Sequence, residues 1–223
     1  MYLRFAATAL FALPLLQAQQ PDALLTRMDQ AAAAFKGMTA KIRKVSHTAV
    51  INEDNVETGT VAVKKKGGKL RMLTHLTAPD EKSVAFEGRK LEIFYPKIQT
   101  VQEFDVGKSR DMLEQFFLLG FGTRRKDLER DYTLKATGNE VIGGTKTSRL
   151  ELTPKSPEIQ KQLKKVELSI SDATGYPVQQ KFHQSADDYH FVTYSDLKIN
   201  PDLPDSALKL KLPPGVKREF PQK

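Results

Sequence analysis

From Thr39 onward the chain is written in a period of two. Val61 and Val63, then Leu70, Met72, Thr74 and Leu76, then Val84 and Phe86, then Leu91, Ile93 and Tyr95 alternate with charged or small residues. Such alternation gives each strand one buried and one wet face, so the sheet must curl over something or be covered on one side. The joints carry turn chemistry, with Gly67-Gly68, Pro79-Asp80, Glu87-Gly88 and Pro96-Lys97 between successive runs. Joints this short force neighbouring strands antiparallel. After a break at Gly107, strand-like text resumes at 132–136, 140–142, 146–153, 163–171, 178–184 and 189–199, with 208–212 as a further candidate. About a dozen strands are expected in all.

Two segments change period. Leu24, Met28, Ala31, Ala32 and Phe35 recur at helical spacing after Pro21-Asp22, and Gly37 reads as the helix stop. Ser109 can cap a second helix carrying Met112, Leu113, Phe116, Phe117 and Leu119, which Gly120-Phe121-Gly122 ends. One or two helical turns follow at 123–130. An antiparallel barrel, open or closed, with helices across its mouth fits this order better than a sandwich, which would not need the apolar helix at 110–121. The fold expected is therefore mainly β (α+β), and residues 19–223 read as one domain.

The first eighteen residues differ. Arg4 precedes an apolar run from Phe5 to Leu16, and Leu16-Gln17-Ala18 offers a small residue for cleavage. This is the pattern of a secretory signal peptide at 1–18, and the run is short of the roughly 20 residues that span a bilayer. The rest is expected outside the cytoplasm, not membrane-spanning. The chain has no cysteine, which removes disulfides, cysteine-ligated zinc, iron–sulfur clusters, thiol catalysis and lipidation after the leader.

The chemistry-bearing constellations are weak. The formal net charge is +8, which could attract nucleic acid, anionic lipid or acidic proteins. No recognition helix or RNP-like aromatic pattern accompanies it, so nucleic acid is not an expected partner. Lys64, Lys65, Lys66, Lys69 and Arg71 cluster at the Gly67-Gly68 hairpin, where no phosphate-loop pattern exists, and read best as a solvated edge. A turn over Ser185, Ala186, Asp187 and Asp188 would set His183 and His190 opposite each other across a hairpin. That could bind a metal, although a polar hairpin tip is the simpler reading. His47 and His75 have no evident partners. With no Ser-His-Asp order, nucleophile elbow or HExxH, neither catalysis nor a cofactor is expected. The window Met112, Leu113, Phe116, Phe117, Leu119 and Phe121 is either a movable lid between glycines 107, 120 and 122 or a helix packed permanently into the core, and the residues alone favour the core.

A resemblance changes that balance. The block Gly59-Thr60-Val61-Ala62-Val63-Lys64-Lys65-Lys66, then Leu70-Arg71-Met72 and Pro79, then Gly88-Arg89-Lys90-Leu91-Glu92-Ile93-Phe94-Tyr95-Pro96 resembles the periplasmic lipoprotein carrier family LolA. Leu150-Glu151-Leu152-Thr153-Pro154 and Leu212-Pro213-Pro214-Gly215-Val216 are similar to that family's later segments. The resemblance implies an incomplete antiparallel barrel with a helical lid over a hydrophobic cavity. It implies a cargo of lipoprotein acyl chains, an inner-membrane ABC transporter as donor and an outer-membrane acceptor, and it raises the lid above the static core. Cavity lining then falls to Leu70, Met72, Leu76, Val84, Phe86, Leu91, Ile93, Phe182 and Phe191. The family's lid-holding arginine falls at Lys66, with Arg71 as the other latch candidate, and its tryptophan pair at Met72 and Ile93. Lifting a chain of about 14 methylenes into water costs about 11 kcal/mol, at about 0.8 per methylene, so a carrier must replace that surface. A monomer is expected. A carrier of another envelope lipid, or a non-transporting domain that senses lipids or lipoproteins, would use the same fold.

Overall fold

A computed structural model describes residues 21–184 and 187–221; the expected leader at 1–18 lies outside them. Helix α1 (Pro21–Ala34) leads into strands β1 (Gly37–Thr48), β2 (Glu53–Lys66), β3 (Lys69–Ala78), β4 (Lys82–Glu87), β5 (Lys90–Tyr95) and β6 (Thr100–Asp105). Helices α2 (Arg110–Leu118) and α3 (Arg125–Asp131) follow. Then come β7 (Tyr132–Ile142), β8 (Thr145–Pro154), helix α4 (Pro157–Gln162), β9 (Lys165–Ser171), β10 (Pro177–His183), β11 (Tyr189–Ile199) and β12 (Lys217–Glu219).

All twelve strands form one sheet in the order β12-β6-β5-β4-β3-β2-β1-β11-β10-β9-β8-β7. The ends do not meet, so the barrel is incomplete, as the resemblance implies. Neighbours are antiparallel except β12, which lies parallel to β6 through Lys217–Thr100, Arg218–Val101 and Glu219–Gln102. The strand candidate at 208–212 is not one. Asp205–Leu208 is a 3-10 turn, and the strand lies nine residues further on.

The concave face carries two apolar clusters. Leu24, Leu25 and Met28 of α1 pack with Leu150, Leu152, Val166, Leu168 and Phe182 from β8–β10. Ala31, Phe35, Leu118 and Phe121 pack with Val61, Val63, Leu70, Met72, Leu76 and Phe86 from β2–β4. The period-two pattern holds because register aligns it: Val63 faces Met72, Met72 faces Phe86, and Phe86 faces Leu91 across four strands.

Three local readings need correction. Gly37 is not a helix stop. A Cβ there would lie 2.4 Å from the Val63 carbonyl, so glycine is needed where β1 meets β2. The stop is Asn200, whose side chain accepts from the Lys36 and Gly37 amides at 2.7 and 3.2 Å and donates to the Ala34 carbonyl. The joint between the candidates at 146–153 and 163–171 holds α4, and the second strand starts at Lys165 rather than at 163; Ser156 accepts from the Ile159 amide, with Pro157 at the first helical position. The separate candidates at 132–136 and 140–142 are one strand bulged at Gly138, whose φ is +122°.

Candidate functional site

The concave face beneath α2 gathers most of the expected cavity residues. Leu70, Met72, Leu76, Phe86 and Phe182 are buried there. Val84 and Ile93 are paired with each other on the same face, one step along from Phe86 and Leu91, and all but Phe86 are half-buried. Phe191 does not join them. It pairs with Lys181, one residue out of phase with Phe182, so it lies on the outer face beside Tyr189.

Helix α2 straddles the two clusters with consecutive residues. The Phe116 ring lies 4.5 Å from Phe182 and 6.3 Å from His190, while Phe117 meets Phe86 edge-on at 5.5 Å. Leu113 packs on the Phe86 side, and Met112 is 52% exposed. Leu119 and Phe121, expected in the lid, are instead wholly buried at its root. They lie past the helix, where Gly120 at φ +79° turns the chain and a Cβ would come 2.7 Å from the Pro177 ring. The segment therefore has a fixed C-terminal root and a half-buried N-terminal blade.

Neither latch candidate reaches the blade. Arg71 projects from the outer face and pairs with Glu87 at 2.6 Å and Asp205 at 3.0 Å. Lys66 is exposed at the hairpin end. The basic cluster is also more than a solvated edge: Lys64 donates to the Leu203 carbonyl and Asp205, so with Arg71 it pins the C-terminal segment to the sheet's outside.

What holds the root is a buried polar relay. Tyr194 donates its hydroxyl to Gln180 Oε1, and Gln180 Nε2 donates to the Leu119 carbonyl. Gln180 is 3% exposed. Burial pushes the Tyr194 hydroxyl far above the usual tyrosine range, so it stays a donor. The relay was missed in the sequence, where its one signal is a glutamine two residues before Phe182 on a face otherwise apolar.

The histidines separate rather than converge. His183 pairs with Tyr189 and His190 with Phe182, so they occupy opposite faces; Ser185 and Ala186 of their turn lie outside the described residues. His183 points outward to Glu167 at 3.1 Å, and His190 points inward and stacks on Phe182 at 4.9 Å. Burial lowers both pKa values, so both rings are neutral at pH 7. Among the described residues no group of three His, Asp or Glu could hold a metal. His47 and His75 do have partners, Asp54 at 2.8 Å and Ser83 at 2.9 Å.

A curled sheet with a helix packed across its apolar concave face is the arrangement the sequence resemblance implies. The family model for the outer membrane lipoprotein carrier protein LolA matches residues 35–211. The chain belongs to the LolA family. Among curated proteins none matches it by sequence. Solved structures similar to this LolA-family protein include MucB, with a TM-score of 0.54 and 13% identity over 85% of this chain and 62% of that one. The chain thus spans less than two thirds of MucB. An uncharacterized conserved protein from Thermus thermophilus gives 0.55 at 11% identity, covering 89% and 98% of the two chains. The Mycobacterium tuberculosis lipoprotein LppX gives 0.51 at 13%, covering 82% and 98%. These likenesses are of fold. Among the described residues of this LolA-family protein, no helix is long and apolar enough to cross a membrane.

Proposed function

We propose that this protein is a periplasmic carrier. It takes up lipoprotein acyl chains between α2 and the concave face at an inner-membrane ABC transporter, and yields them to an outer-membrane acceptor. It acts as a monomer, without cofactor or catalytic step, after loss of the leader at 1–18. The observation that carries this reading is how the blade of α2 is held. Its side-chain ion pair, Arg110–Glu114, lies within the helix, and its contacts to the sheet are those of Leu113, Phe116 and Phe117. Fully burying one such side chain is worth about 1.5–3 kcal/mol, and these are half-buried. An acyl chain of about 14 methylenes, once wholly sheltered from water, gains about 11 kcal/mol, more than the three half-buried side chains together. The cargo can therefore outcompete the blade, and closing the blade again favours release to a tighter acceptor.

Because the chain lacks cysteine, Met112→Cys carries a single environment-sensitive fluorophore on the blade. Titration with a fatty acid should shift its emission saturably, and native mass spectrometry of protein purified from the cell envelope should find bound acylated protein. An unchanged emission, together with failure to bind a fluorescent fatty acid, would make α2 permanent core and end the carrier reading.

A further inference from the structure

The concave face is not apolar throughout. Toward the end of the sheet that bears the β1–β2 turn, three strands each place one charged side chain on it. Lys44 shares its side of β1 with Met38, Ala40 and Ile42; Glu57 shares its side of β2 with Val61 and Val63; Lys82 shares its side of β4 with Phe86. Lys44 Nζ lies 2.9 Å from one oxygen of Glu57 and Lys82 Nζ 2.6 Å from the other. The Glu57 side chain is 7% exposed, and the lysine side chains 36% and 32%.

Burial opposes ionisation of Glu57, but hydrogen bonds and charge from the two lysines outweigh it and hold its pKa below the usual range. The cluster therefore holds two ammonium groups and one carboxylate, a surplus of one positive charge. Among the described residues Glu57 is the sole ion-pair partner of either lysine. His190 adds no charge at pH 7, since burial and the nearby Lys44 lower its pKa. That histidine stacks on Phe182, which packs against Phe116 of the blade. The surplus charge thus stands beside the apolar floor that α2 covers. One lysine suffices to neutralise Glu57. A second held against the same carboxylate suffers repulsion, and in a partly dry site it projects a positive potential that water screens poorly.

We propose that Lys44 and Lys82, aligned by Glu57, form a headgroup subsite that receives the phosphate of an anionic lipid whose acyl chain lies under α2. The proposal rests on the acyl-binding reading above and adds to it a second ligand class, a phosphate-bearing lipid, beside lipoproteins, whose acylated-cysteine anchor carries no phosphate. The floor is built for carbon and its margin for one negative charge, which a phosphate-bearing amphiphile satisfies together.

The test compares lysophosphatidic acid with monoacylglycerol of the same chain length, which differ only in the phosphate, by displacement of a fluorescent fatty acid from the full chain. The parent should favour lysophosphatidic acid by about tenfold, the ratio that about 1.4 kcal/mol of added attraction gives. Lys44→Gln and Lys82→Gln each leave Glu57 one partner and bring the cluster to neutrality, so each should reduce the ratio to about one. Glu57→Gln raises the surplus to two and should widen it. Circular dichroism reports whether each variant is folded, and either lysine variant alone suffices for the test. Equal affinity of the parent for both lipids, or a preference surviving in a folded lysine variant, overturns the headgroup subsite and leaves the carrier reading standing. Binding of neither lipid brings down the acyl-binding reading itself. Inorganic phosphate that binds as tightly as lysophosphatidic acid reassigns the cluster to a soluble anion and overturns the lipid assignment.

Discussion

Replacing Gln180 by leucine tests what anchors the root of α2. Gln180 joins two buried partners, accepting from the Tyr194 hydroxyl and donating to the Leu119 carbonyl. Leucine strands both. A buried polar group left without its partner costs about 1–3 kcal/mol, so two orphans cost about 2–6, offset in part by the apolar surface that leucine adds. We expect Gln180→Leu to lose about 3 kcal/mol. Tyr194→Phe alone should lose about 1–2 kcal/mol, because it strands one acceptor of Gln180. In the Gln180→Leu background the same Tyr194→Phe change deletes an orphan instead of creating one, so it should cost nothing or restore about 1 kcal/mol. The four proteins form a double-mutant cycle with a coupling of about 2 kcal/mol. Urea denaturation measures it, provided the slope against denaturant is shared by all four. The same Gln180→Leu protein should release a fluorescent fatty acid faster than the parent, because the carbonyl at the root of α2 has lost its donor. Additive losses, or a Gln180→Leu loss below about 0.5 kcal/mol with an unchanged release rate, would refute the relay as the anchor.

Phe117→Asp puts a charge where the ring meets Phe86; it should lower fatty-acid affinity at least about tenfold while circular dichroism stays parent-like, and unchanged affinity would remove this face as the acyl site. Arg71→Leu breaks ion pairs to Glu87 and Asp205 worth about 0.2–1 kcal/mol each, yet neither it nor Lys66→Arg should alter fatty-acid release; a changed rate would reinstate a latch on that hairpin. His190 has a pKa below the ordinary histidine value in the folded chain, so on acidification the unfolded chain takes up its proton first and stability declines from about pH 7 downward. His190→Phe should flatten part of that decline in melting temperature between about pH 7 and 5, and parallel profiles would show that the ring's burial is not what the slope reports.

The fold was legible because its code is local. Val63, Met72, Phe86 and Leu91 alternate within their own strands, and Gly67-Gly68, both at positive φ, make a turn that leaves β2 and β3 no choice but to pair. The apolar window at 112–121 was legible for the same reason, since seven large apolar residues in ten cannot face water. The site was legible in part. Leu70, Met72, Leu76, Phe86 and Phe182 declare their side of the sheet by period alone. Phe191 does not, because the register of β10 on β11 depends on the turn between them, and a shift of one residue moves every side chain to the opposite face. The same shift separates His183 from His190.

Residue order by itself therefore determined an open or closed antiparallel sheet, its helical cover and the apolar character of what lies between them, because alternation, turn chemistry and helical spacing act within a few residues. Only the tertiary structure decided which polar groups meet. Lys44, Glu57 and Lys82 come from three strands, Leu119 meets Gln180 across 61 residues, and β12 reaches β6 from more than a hundred residues away. Charges and hydrogen bonds act over a few ångströms in space and leave no period along a chain. Where they fall depends on strand register and sheet curvature, which are set by the packing of the whole molecule.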